Sequence, residues 1–193
     1  KAFSGRPEAY EIRGEDKGRF IFIPQKSVAP YLAWIRENIL DSYEKEIQSE
    51  GGIDLHIIGV GGKGHVAFHE SGIPFADSRV MLVQLDDNTI ENAVADGHFA
   101  TREESPNYAV SMGAELVYKA KTVLLLANGA RKTQPIANSI LEEVSPAVPI
   151  SYGQKFAKEG GDMIYIIDTL AAQILLDKKQ QVKDRGIELI DLR

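Results

Sequence analysis

The residues best suited to chemistry lie in one segment, Gly59-Val60-Gly61-Gly62-Lys63-Gly64-His65-Val66-Ala67-Phe68-His69-Glu70. A histidine exchanges protons near neutral pH, and a carboxylate five residues on is placed to orient it or tune its basicity. Gly61, Gly62 and Gly64 lack the Cβ that would stop the backbone from turning sharply and approaching a ligand. A second polar group, Asn128-Gly129-Ala130-Arg131-Lys132, also follows an apolar run. A lysine at a helix start adds its charge to unpaired backbone N–H groups, and that combination suits a phosphate. Each residue also has a plainer reading. His65 would then be a hydrogen-bonded structural histidine, Glu70 a capping or surface carboxylate, and Arg131 with Lys132 a solvated turn.

The glycine segment does not follow the nucleotide phosphate-loop pattern, in which the lysine is followed by Ser or Thr, nor the dinucleotide fingerprint, which requires a third glycine at a fixed place. His65 and His69 stand four apart beside Glu70, a spacing that would hold zinc on a helix; behind a glycine loop that geometry is not given, and no metal is expected. His56 falls inside an apolar run and is expected to be a packed histidine. His98 lies in the polar stretch 96–104, read as a surface loop or a lid, with Arg102 exposed.

The elements that must position these groups follow from hydrophobic period. Residues 1–18 carry turn formers without a sustained period and read as irregular. Strands are predicted at 19–23, 53–58, 80–85, 122–127 and 163–167 from short β-rich runs bounded by glycine, proline or polar residues. A long helix is predicted from Ser27 to Gly51, where Leu32, Ile35, Ile39, Tyr43 and Ile47 recur three or four apart. Further helices are predicted at 107–120, at 132–143 and from Thr169, with a proline-containing link through Pro146 and Pro149. Apolar strands alternating with helices predict an α/β fold, a three-layer, mostly parallel sheet with helices on both faces. Both polar segments then lie on the carboxyl-end edge of the sheet, where such folds bind ligands.

Composition bounds the function. The chain has 193 residues, enough for one α/β domain, with 44% hydrophobic and 26% charged residues, which argues against disorder. No repeat or linker divides it, so residues 1–193 are expected to form a single domain. A net charge of -6 disfavours nucleic acid or an anionic membrane as partner. With no cysteine, the chain has no disulfide, thiolate nucleophile or cysteine-held metal. No apolar run reaches membrane-spanning length and residues 1–7 lack the apolar core of a signal peptide, so a cytoplasmic location is expected.

The sequence resembles the glucosamine-6-phosphate deaminase/isomerase family, which is related to the 6-phosphogluconolactonases. The resemblance runs from about Ile21 to Leu176. It is carried by Ile53-Asp54-Leu55, Gly59-Val60-Gly61, Gly64-His65-Val66-Ala67-Phe68 with Glu70, and Ser78-Arg79. It continues through Pro106-Asn107-Tyr108-Ala109-Val110-Ser111-Met112-Gly113, Lys119-Ala120-Lys121, Gly129, Lys132 and Val144-Ser145-Pro146-Ala147-Val148-Pro149. The Phe68-x-Glu70 ending looks like the deaminase branch. The resemblance implies a Rossmann-like fold and conversion of a hexosamine 6-phosphate to a ketose 6-phosphate plus ammonia, with no cofactor. His65 would shuttle the proton of the ring oxygen, Glu70 would support it, and Lys132 would hold the phosphate, with Gly61, Gly62, Lys63 and Gly64 lining the substrate.

Four departures accompany the resemblance. Lys63 stands where the family carries an aspartate. The family's phosphate-binding arginine after Asp87-Asn88-Thr89 has no match in residues 90–95, and Met81 replaces an arginine of the allosteric members. Nothing in residues 1–20 matches the family's opening strand, phosphate loop and Asp–Glu pair holding the C2 base, so the expectation is either a fragment or a sheet finished by another chain, in a homo-oligomer or with a completing chain. Two alternatives stand beside the deaminase: a non-catalytic sugar-phosphate-binding or regulatory domain, and a lactonase-like hydrolase in which His65 activates water.

Overall fold

The computed structural model describes residues 8–15 and 18–192. Three of the predicted strands, β3 (Leu55–Ile58), β6 (Thr122–Ala127) and β7 (Asp162–Ile167), form a parallel sheet in the order β3-β6-β7. Their registers place Ile58 beside Leu125 and Leu125 beside Tyr165. Because side chains alternate along a strand, Ile58, Val123 and Leu125 point to one face and form the main core. Helices packed into the same core include α5 (Thr133–Leu141) through Ile136 and Ile140, α6 (Tyr152–Lys158) through Phe156, α7 (Gln173–Asp177) through Leu175 and α8 (Lys179–Asp184) through Val182.

The other two predicted strands, β2 (Arg19–Phe22) and β4 (Val80–Gln84), join β1 (Glu11–Arg13) and β5 (Tyr108–Met112) in an antiparallel sheet, ordered β1-β2-β4-β5. The predicted long helix forms as α1 (Pro30–Ile35), a π-helical turn (Arg36–Leu40) and α2 (Asp41–Ser49). Its Leu32 and Leu40 pack with Ile21 and Ile23 in a second cluster, while Phe20, Ile73, Met81 and Val83 make a third.

The α/β, Rossmann-like class holds, and two details differ from expectation. The parallel sheet is three-stranded, with a separate antiparallel sheet instead of one mostly parallel sheet. Among the described residues its helices cover one face: on the other, Ile57 is 57% exposed, Ile166 52% and Leu126 45%.

Four local readings are corrected. Residues 107–120 form β5 and a short helix, α4 (Ala114–Val117), instead of one helix. The spacing of Tyr108, Met112, Leu116 and Val117 suits a helix, but Gly113 is extended (φ -100°, ψ 172°) and splits the run, and Tyr108–Met112 pairs along its length with β4. Within the stretch read as irregular, Glu11–Arg13 gains strand structure only by pairing with β2. Helices α3 (Asp87–Ala95) and α6 were not predicted; α3 is begun by Asp86, whose carboxylate accepts from the N–H groups of Asn88 and Thr89.

Candidate active site

The glycine segment leaves the carboxyl end of β3 and folds into a tight turn. Gly64 adopts φ +78°, a conformation that L side chains rarely take, and its N–H donates to the Gly61 carbonyl (2.9 Å). The Gly61 N–H in turn donates to the His65 carbonyl at 3.0 Å. Gly61 is needed for another reason: a Cβ there would fall 1.9 Å from His65 Nε2, so the imidazole lies against bare backbone. The Gly64 carbonyl accepts from the Ile150 N–H (2.9 Å), which fastens the turn to the segment after Pro149.

His65 Nδ1 lies 3.5 Å from Glu70 Oε2. Glu70 is 2% exposed, and its other oxygen, Oε1, accepts a 2.6 Å bond from the Thr89 hydroxyl. Burial pushes the Glu70 carboxyl up, opposed by the Thr89 bond. Burial lowers the His65 imidazole, the Lys132 and Lys63 charges lower it further, and Asp86 acts in the opposite sense. These shifts favour the neutral imidazole, the form able to accept a proton.

Lys132 follows β6, at the end of a 3-10 turn (Ala130–Lys132) that leads into α5. Its Nζ donates to the Val60 carbonyl (2.6 Å), so the two polar segments meet at the carboxyl-end edge as expected. Arg131 is exposed. Lys63 is turned elsewhere: its Nζ binds Asp86 Oδ2 at 2.8 Å. Gly62 is exposed beside it. Burial acts to raise the Asp86 carboxyl, but the bonds from Lys63, Asn88 and Thr89 outweigh it and hold the group below the ordinary carboxylate range.

His69 is fully buried and structural. Its Nδ1 accepts from the Ala114 N–H (2.9 Å) and its Nε2 lies 2.9 Å from the Ile73 carbonyl oxygen, so Nε2 carries the proton. Burial lowers its pKa to about 4. With both nitrogens engaged by backbone, His69 has no lone pair for a metal, and among the described residues no group of His, Asp and Glu is arranged to hold one. His56 is half-buried in β3 and hydrogen-bonded to the Val117 backbone, as expected of a packed histidine, while its Nδ1 has no partner. His98 is exposed, with its N–H bonded to the Ala93 carbonyl (2.9 Å) at the end of α3. The Ser78 hydroxyl accepts from the Glu115 N–H at 3.1 Å, and Arg79 pairs with Glu44 of α2, so this motif braces α4 and α2.

Asp86 and Thr89 were missed by sequence reasoning as site residues. The signal was there: Asp86 precedes Asn88 and Thr89 as an N-cap precedes the free N–H groups of a first helical turn. That Thr89 then meets Glu70, 19 residues earlier, is visible only in three dimensions.

No protein-family model matches the chain. It is 39% identical over 139 residues to a glucosamine-6-phosphate deaminase of Clostridium acetobutylicum, covering 72% of this chain and 55% of that one. A glucosamine-6-phosphate deaminase of Clostridium botulinum is 38% identical over 133 residues, 69% of this chain and 52% of its own. The chain spans about half the length of the curated relatives it matches. Among solved structures, a monomeric glucosamine-6-phosphate deaminase superimposes with a TM-score of 0.64 and 27% identity, covering 77% of this chain and 57% of that one.

Proposed function

We propose, because this chain is a homologue of the glucosamine-6-phosphate deaminases, that it acts on a hexosamine 6-phosphate, yielding a ketose 6-phosphate and ammonia. The observation that carries this reading is the meeting, on one sheet edge, of His65, buried Glu70 and the Lys132 ammonium around the glycine turn. His65 as a neutral imidazole moves the ring-oxygen proton, and Glu70 supports the imidazolium that forms. Lys132, with the exposed backbone of Gly62, receives the phosphate, while Gly61 and Gly64 shape the turn through their own hydrogen bonds. Lys63 contributes at this end through its bond to Asp86 and not as a free cation.

The test is ammonia release from glucosamine 6-phosphate and galactosamine 6-phosphate by the natively expressed protein. Substitutions His65→Ala and Glu70→Ala are expected to lower kcat/KM by about 10²–10⁴-fold. Unchanged activity in either variant removes that residue from the site.

One observation favours a second reading, a domain that binds the sugar phosphate without turning it over. Glu70 is committed to His65 and Thr89, and among the described residues no further carboxylate is assigned to the proton at C2. Binding of glucosamine 6-phosphate by calorimetry without ammonia release would select this reading.

The same proposal includes a polypeptide partner for the open face of the parallel sheet. The face is apolar, carrying Leu55, Ile57, Leu126, Ile164 and Ile166, and the curated relatives extend well beyond the matched region. We assign the face to a completing segment of such polypeptide; a second copy of this chain is the other outcome, told apart by the mass of the natively isolated protein in solution. A single domain in the cytoplasm is part of this reading, in keeping with a sequence that holds no cysteine. No helix among the described residues is long and apolar enough to cross a membrane.

A further inference from the structure

We propose that Thr89 and Asp86, at the start of α3, are positioning residues for the His65–Glu70 pair, gripping it through Glu70 on one side and Lys63 on the other. This rests on the reading of His65 and Glu70 as the proton-transferring pair. The contacts close on themselves. Lys63 Nζ binds Asp86 Oδ2 at 2.8 Å. Asp86 Oδ1 accepts from the N–H groups of Asn88 (2.6 Å) and Thr89 (3.3 Å). The Thr89 hydroxyl donates to Glu70 Oε1 at 2.6 Å, and Glu70 Oε2 faces His65 Nδ1 at 3.5 Å. His65 returns to Lys63 through Gly64.

Each link has a physical task. A carboxylate as buried as Glu70 needs donors, and the Thr89 hydroxyl both supplies one and decides which oxygen is left to face the imidazole. The turn beside His65 contains three glycines and would be loose alone; the Lys63–Asp86 bond ties it to a helix that the same aspartate caps. Asp86 is almost wholly buried and Lys63 about half exposed, so the pair is partly shielded from solvent screening.

The charged groups facing His65 are Glu70 on its own loop, Lys63 on the glycine turn, Asp86 at the cap of α3 and Lys132 before α5. Lys63 and Asp86 act on the imidazole with opposite sign. A part that merely fills space would not produce opposed effects.

The experiment is an NMR pH titration of the His65 imidazole in the full chain, together with ammonia-release kinetics. Lys63→Met is expected to raise the His65 titration midpoint, Asp86→Asn to lower it, and the double variant to return it toward the wild type. Thr89→Val is expected to lower kcat about tenfold with KM nearly unchanged, and Thr89→Ser to recover most of the loss. Should Asp86→Asn unfold the protein, Lys63→Met and the two Thr89 variants still decide, since the cap stays intact in them.

Midpoints that stay put in the Lys63 and Asp86 variants overturn the role of that bond, and equal behaviour of Thr89→Val and Thr89→Ser overturns that of Thr89. A wild-type chain that releases no ammonia while the midpoints move as stated would sink the deaminase reading and leave the positioning network standing.

Discussion

Burial moves His65 and Glu70 toward their uncharged forms, one down and the other up. A histidine lowered from 6.5 keeps its neutral form to lower pH, so the acid limb of kcat/KM is expected below 6.5 in a pH–rate profile. The imidazole is seated by Gly61, which is not in a left-handed conformation, so alanine is acceptable to the backbone there. Gly61→Ala is therefore expected to fold with little loss of stability while displacing His65 and lowering activity nearly as far as His65→Ala. Circular dichroism and the ammonia assay on one preparation check both halves.

His69, four residues on, tells the opposite story, since its titration belongs to stability. Unfolded, it takes up a proton near pH 6.5, and folded near 4. Between those values the unfolded chain holds more protons, so the stabilisation is fully present above 6.5 and is lost as pH falls toward 4. The gap of about 2.5 pH units corresponds to roughly 3 kcal/mol. Urea unfolding at pH 7 and pH 5 should show this decline in the wild type and a shallower one in His69→Gln. Equal declines would mean that other groups set the acid sensitivity.

At the scale of elements, β6 is the informative strand. Its neighbours Leu125 and Leu126 have the same side chain and point to opposite faces of the sheet, one fully buried and the other exposed. Leu125→Ala opens a cavity in the main core and is expected to cost about 2–5 kcal/mol, whereas Leu126→Ala should lie within about 0.5 kcal/mol of the wild type. Denaturant midpoints measure both. Comparable losses would show that the outer face is covered in the protein as isolated. Helix α3 matters at this scale too, because one aspartate begins the helix and anchors the glycine turn.

For the whole molecule, the open sheet face dominates. Leu55 and Ile57 of β3, Leu126 of the central strand β6, and Ile164 and Ile166 of β7 present an apolar surface across the sheet, and surfaces of that kind mark association sites. Replacing Ile57 and Ile166 together by lysine is expected to reduce self-association of the isolated chain and its binding of a hydrophobic dye, without changing the His65–Glu70 geometry on the sheet edge. Light scattering coupled to size exclusion reads the first effect. An unchanged mass distribution would mean that this face makes no contact in solution.

The sequence by itself determined the α/β class, the five apolar strands, the long helix and the placing of His65, Glu70 and Lys132 at one sheet edge. These follow from local hydrophobic period and from the rule that parallel strands share an edge, neither of which needs distant contacts. The tertiary structure decided what depends on partners far along the chain. Tyr108–Met112 became a strand because β4 lies beside it, although its spacing also fits a helix. Glu11–Arg13 became a strand because β2 offers an edge. His69 was separated from His65 by what each nitrogen meets, a distinction invisible in two identical letters four apart. Lys63, expected to line the substrate, is drawn to Asp86, 23 residues away, because a nearly buried carboxylate requires a nearby cation.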